Sequence, residues 1–281
     1  MKLRVALFTI MCGGLLSSVA RAEAAATVTE AVNDVTRGSA RAGGTEAAPI
    51  GSKLEDGQYL KTGVKSRAEL QLANLAITRL GADTLFDYSP STREIDLQAG
   101  TVLFSKPKNA GQMTIKTAAV SAAVLGTTGF VQSRKKTVIF GLIEGHARVT
   151  IGGVTYFVGP GDILRFTPGR PPQMFAYNVP HFLETSPLIL DFPGKLPNQV
   201  YIDREVAQYD NLVARGFITP PANPYFTDVE GAVPTIPTPA YDSAGAANYV
   251  FGVESSGCDP EIIGPSDIVV VPARPRQPYS Y

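Results

Sequence analysis

Between Gly51 and Asp162 the chain is a series of short segments of alternating polarity, cut apart by glycines. A period of two sends successive side chains to opposite faces, so each such segment reads as a half-buried strand. Ala68, Leu70 and Leu72 alternate with Glu69 and Gln71, and Ile95 and Leu97 alternate with Glu94 and Asp96. Met113 and Ile115 repeat the pattern, as do Ala147, Val149 and Ile151. Thr137-Val138-Ile139-Phe140 is more uniformly apolar, as a strand covered on both faces would be. Turn signals separate these runs: Asn33-Asp34, Asp56-Gly57, Gly81-Ala82-Asp83, Ala99-Gly100, Gly152-Gly153 and Gly159-Pro160-Gly161-Asp162. Strands of about five residues at a spacing of about 8–12 predict an all-β fold, a β-sandwich or a short β-solenoid of many short strands. No helical period lies between them, which excludes a parallel sheet with crossover helices.

The two ends of the chain read differently. Lys2 and Arg4 precede an apolar run from Val5 to Leu16, and Ala20-Arg21-Ala22 forms an A-x-A site. This predicts a signal peptide over residues 1–22 and a mature chain starting at Glu23, located in the periplasm or outside the cell. The run is too short for a membrane span, which needs about 20 apolar residues. Met11 before Cys12 argues against lipid attachment, and Cys258 is then left without an internal disulfide partner. Removing the leader leaves 22 basic against 25 acidic residues, a net charge of −3, which gives no footprint for nucleic acid. The β-domain is expected over residues 26–167 and a Pro-rich connection with a helix over 168–217. Residues 218–281 read as a Pro/Gly-rich disordered tail, whose aromatics, Tyr225, Phe226, Tyr241, Tyr249 and Phe251, are placed to dock on the domain or a partner. The one C-terminal amphipathic helix starts at Asn198 as cap, carries Val200, Val206, Tyr209, Leu212 and Val213 on its apolar stripe, and ends at Gly216. Its stripe is expected to pack on the β-domain.

Residues suited to catalysis are sparse. His146 and His181 have no metal-ligand spacing, and neither a G-x-S-x-G elbow nor a phosphate-binding glycine loop occurs. Asp83 with Asp87, and Glu94 with Asp96, are carboxylate pairs of the kind that polar strand faces produce routinely. No catalytic, cofactor or metal residue is assigned, and no cofactor is expected. Gly126-Thr127 reads as a structural corner, with Val120, Ala122 and Val124 alternating toward the core before it.

The order of these elements resembles the FecR-like domain family, named after a ferric-citrate regulator. The run Gly51-Ser52-Lys53-Leu54-Glu55-Asp56-Gly57-Gln58-Tyr59-Leu60-Lys61-Thr62-Gly63 is followed by the strand Ala68–Leu72. Leu97-Gln98-Ala99-Gly100-Thr101-Val102, the segment from Thr117 to Val131 with its Gly126-Thr127 step, Leu142 to Val149, and Gly159 to Asp162 follow in the family's order. Relatives often have Arg where Leu125 stands, and proline where Ala118 stands. The resemblance covers residues 28–166. It implies an exported, stand-alone, non-catalytic binding or signalling module that recognises an envelope protein or glycan. The alternative is a polysaccharide-active enzyme or lectin-like module using the strand carboxylates.

Overall fold

The computed structural model describes residues 26–39, 43–72 and 75–220. The expected signal peptide, and the tail beyond Pro220 with its aromatics and Cys258, lie outside the described residues. Seventeen strands and three helices, numbered in chain order, make up the described chain. Sheet A runs in the order β4 (Lys53–Leu54), β1 (Ala26–Val32), β6 (Arg67–Gln71), β7 (Ile77–Leu80), β9 (Glu94–Ser105), β12 (Thr128–Arg134), β13 (Thr137–Glu144), β16 (Asp162–Phe166), β17 (Gln173–Ala176). Sheet B runs β3 (Thr45–Ala47), β2 (Val35–Ser39), β5 (Gln58–Thr62), β8 (Leu85–Ser89), β9, β10 (Met113–Lys116), β11 (Ser121–Val124), β14 (Ala147–Ile151), β15 (Val154–Val158). All pairings are antiparallel except β9 with β10.

Strand β9 belongs to both sheets. Its first half pairs with β8 and β10, and its second half with β7 and β12. The chain changes sheet at Ala99-Gly100, expected from the sequence to be a turn. It is instead a bend inside one strand. A turn glycine and a pivot glycine carry the same signal, since both supply positive φ, here +97° at Gly100. The two sheets pack face to face as a sandwich. Leu70, Phe104 and Phe140 of sheet A meet Leu60, Phe86 and Ile115 of sheet B in one buried cluster. The predicted inward sets are buried throughout: Ala68, Leu70 and Leu72; Ile95 and Leu97; Met113 and Ile115; Ala147, Val149 and Ile151.

A third layer covers the outer face of sheet A. Three helices form rather than one: α1 (Val179–Thr185), α2 (Pro187–Leu190) and α3 (Gln199–Ala214). Pro180 and Pro187 stand in the first turns of α1 and α2. There the missing N–H costs nothing, so these prolines start helices instead of stopping them. Leu103, Phe130, Ile139 and Ile143 of sheet A form a second cluster with Phe182, Leu188 and Ile202 of this layer. Phe130 stacks on Phe182 at 4.8 Å and meets Tyr177 edge-on at 5.7 Å. Its register partner is Gly141, whose Cβ, if present, would run into the Phe130 ring. Strand β13 is thus covered on both faces, as its uniformly apolar sequence predicts.

Two buried polar clamps fix the layer. Arg79 and Glu69 are cross-strand partners, 1% and 7% exposed, joined Nε to Oε2 at 2.8 Å. Arg79 also donates to the carbonyls of Leu188 (3.0 Å) and Gly194 and lies over the Phe192 ring. Thr29 donates to the other oxygen of Glu69. Glu69, expected on a solvent face by strand alternation, is therefore buried, because the helical layer covers that face. In the second clamp the Asn198 side chain donates to Lys106 O at 2.7 Å and to Glu144 Oε1 at 2.6 Å. It makes no cap bond, contrary to its expected role, although its carbonyl accepts from Tyr201 and Ile202 and starts α3. Val200, expected on the packed stripe, is 70% exposed, and Ile202 takes its place in the core.

Lys106 is fully buried and its Nζ has no hydrogen-bond partner. Burial, with Arg93 adding to it, lowers its pKa. The folded chain therefore holds this proton less tightly than the unfolded chain does. The cost is complete below the lowered folded pKa and is relieved as pH rises toward the ordinary lysine value of about 10.4. Lys106→Met is expected to raise stability at pH 7 by about 1 kcal/mol or more, the usual sign when a buried charge gives way to an apolar side chain. Urea unfolding at pH 7 and pH 9.5 checks it: the gain should shrink at the higher pH.

Candidate interaction surface

The helical layer hides one outer face of the sandwich, while the outer face of sheet B is open. Register builds two rows of side chains across it. One runs Tyr59, Asp87, Asp96, Lys116, Ser121, Thr150, Thr155 from β5 to β15. The other runs Ser89, Glu94, Thr114, Ala123, Arg148, Phe157 from β8 to β15. Inward alternation of Ile95, Ile115, Ala122 and Val149 is what aims these residues outward. Lys116 bridges the rows through Glu94, Nζ to Oε2 at 2.6 Å. Phe157 is 58% exposed beside Arg148, giving the face an aromatic corner next to a cation.

Asp87 and Asp96 stand directly opposite each other. Burial first, with the Asp96 charge also contributing, raises the Asp87 pKa above the ordinary carboxylate value, against the hydrogen bond from Gln98. Burial, then Glu94, raises Asp96, and Lys116 opposes this. Like charges facing across a ladder disfavour ionisation. The two carboxylates sit side by side on one sheet face, whereas glycoside hydrolysis places them on either side of a bound sugar. The sequence pairs of neighbouring residues resolve differently: Asp83 lies in the turn before β8, away from Asp87's row, and Glu94 and Asp96 fall in separate rows. The Asp87–Asp96 pairing, Arg148 and Phe157 escaped the sequence reading because register joins residues that spacing does not. His146 lies at the start of β14 and His181 in α1, in different layers. Among the described residues no group of three or more His, Cys, Asp or Glu side chains is arranged to hold a metal ion.

Gly126-Thr127 is the corner between β11 and β12. Gly126 has φ +63°, and an added Cβ would come 2.5 Å from Lys108 Cα. Thr127 Oγ1 donates to the carbonyls of His146 and Leu125, at 3.1 and 3.3 Å. Gly126→Val is expected to cost about 1–3 kcal/mol, whereas Leu125→Arg, at a position 64% exposed, should change stability by less than about 0.5 kcal/mol. Thermal unfolding of the two variants separates a backbone requirement from a side-chain one.

Residues 58–148 match the family model described as FecR protein. The matched segment contains β5 to β13 and the start of β14. No curated protein matches the chain. Two crystal structures, at 1.65 and 2.50 Å, of a protein described as a candidate anti-sigma factor from Parabacteroides distasonis are similar to it. Each has a TM-score of 0.40 and 12% identity over 43% of this chain and 60% of the other, so the chain spans three fifths of that protein's length. No helix among the described residues is long and apolar enough to cross a membrane.

Proposed function

We propose that this protein is an exported, non-catalytic binding and signalling module of the cell envelope, which receives a protein or glycan partner on the open face of sheet B. The observation that carries the reading is the FecR match over residues 58–148. That segment supplies the contiguous centre of sheet B, β5-β8-β9-β10-β11 with the start of β14, while the helical layer lies outside it. The matched segment also supplies β6, β7, β12 and β13 of sheet A, whose outer face is covered, so within it the face left open to a partner is that of sheet B. Charged groups of both signs along the rows, next to an exposed aromatic, suit recognition in which register is set by charge and affinity by a desolvated ring. Export rests on the leader sequence. N-terminal sequencing of the periplasmic or secreted form should begin at Glu23, and an intact Met1 start in the membrane fraction would count against it.

The binding reading is tested by capture from envelope extract with the mature protein and with a Lys116→Glu/Arg148→Glu variant. One protein or glycan should be retained by the parent and lost by the variant, with thermal unfolding of the two alike. Equal capture by both would remove sheet B from the account.

A further inference from the structure

Cations gather at the ends of β12 and β13 far from Asn198. Arg134 ends β12, and Lys135 and Lys136 form the exposed turn into β13. Arg170 lies in the turn from β16 to β17, which Thr167 ties to Thr137 at 3.0 Å. Arg134 donates to Ala82 O at 3.4 Å. Ala82 lines a cavity of about 300 Å³ together with Lys65, Arg67, Pro187 and Leu188. Arg67 is engaged by Asp191 at 3.1 Å, and Asp34 and Asp83 are held at the same end through Ser66 and Gly63. This end thus carries Arg134, Lys135, Lys136 and Arg170, with Lys65 beside them, together with Asp34 and Asp83.

Three of these lysines occupy left-handed backbone, with φ of +54° at Lys65, +46° at Lys135 and +67° at Lys136. A two-residue hairpin turn of this kind favours Asn-Gly, and lysine there is a costlier choice. The basic tips are present despite that local cost. Beside them Val64 is 70% exposed, and Pro187 and Leu188 give the cavity an apolar wall.

The complementary charge lies in the same chain. Residues 221–273 contain Asp228, Glu230, Asp242, Glu254, Asp259, Glu261 and Asp267 and no Lys or Arg. Within this stretch, Asp259-Pro260-Glu261-Ile262-Ile263 joins two acids to two adjacent large apolar residues. The 38 residues between Pro220 and Asp259 can extend to about 125 Å, against a radius of gyration of about 16 Å for a domain of this size. Reach is therefore no obstacle. We propose that Asp259–Ile263 docks on the basic end of its own chain. Its carboxylates face Lys135 and Lys136, and its isoleucines enter the cavity against Pro187 and Leu188. The site is distinct from the face of sheet B, so either assignment can fail without the other.

The test uses the full mature chain and a zero-length carbodiimide cross-linker that joins lysine amines to carboxylates, with the products mapped by mass spectrometry. The expected result is intrachain links from Lys135 or Lys136 to Asp259 or Glu261. Their yield should not change on dilution and should fall with salt. Lys135→Glu/Lys136→Glu should remove them at least fivefold. Adding Asp259→Lys/Glu261→Lys to that variant should restore links between the same positions with the charges exchanged. No such links, links indifferent to the reversal, or links formed only between chains or with another polyanion's carboxylates would overturn the proposal.

Discussion

Arg79→Ala should destabilise the domain by about 3–5 kcal/mol, the range for removing one partner of a buried ion pair. The substitution leaves Glu69 buried and charged, and frees the carbonyls of Leu188 and Gly194 beneath the helical layer. It also removes the guanidinium from the Phe192 ring, 4.7 Å away. Because the clamp joins β6 and β7 to the chain around α2, protection of the helices in hydrogen exchange should fall together with global stability. Removing both charges, as Glu69→Leu/Arg79→Met, should recover most of the loss, since no uncompensated charge remains. Urea unfolding of the single and double variants gives both numbers. A single variant within about 1 kcal/mol of the parent would mean that the Arg79 clamp does not hold the helices, which then rest on apolar contact and the Asn198 clamp.

Gly100→Val should cost about 2–6 kcal/mol. Two terms combine. A β-branched residue is strained at a φ of +97°, by about 1–3 kcal/mol, and its Cβ would fall on the backbone of Thr84, which adds an overpacking cost of about 1–3 kcal/mol. The Thr84 hydroxyl also accepts from the Thr101 amide at 3.1 Å, so displacing Thr84 loosens the strand on both sides of the pivot. Since β9 is the strand that joins the sheets, unfolding should remain a single transition moved to lower urea. An intact fold with the parent's midpoint would show that the change of sheet does not depend on glycine.

The fold was legible where a local pattern has one meaning. Alternation at Ala68–Leu72, Met113–Lys116 and Ala147–Ile151 identified inward faces correctly, and the uniform run at Thr137–Phe140 identified a strand covered twice. The reading failed where a covering layer changes a residue's surroundings. Glu69 alternates like a surface residue and is buried because the chain at Gly194 lies beside its carboxylate and Arg79 pairs with it under the helical layer. Asn198 has the right residue type and position for a cap, yet its Nδ2 donates to the buried Glu144 carboxylate and the Lys106 carbonyl, and its oxygen makes no cap bond. Pro180 and Pro187 read only as part of a Pro-rich connection, because whether a proline starts or stops a helix depends on its position within one. The open face of sheet B was hidden for another reason. Asp87 and Asp96, or Arg148 and Phe157, meet only through register, which no spacing in the chain reports.

The most direct test of the binding reading is a hydroxyl-radical footprint of the mature protein, free and bound to the partner it captures from the envelope. Protection centred on Tyr59, Lys116, Arg148 and Phe157, with Leu190 and Val200 of the helical layer as reactive as in the free protein, is the expected result. Protection of Leu190 and Val200 with Phe157 unchanged would contradict it and move the partner to the opposite side of the molecule.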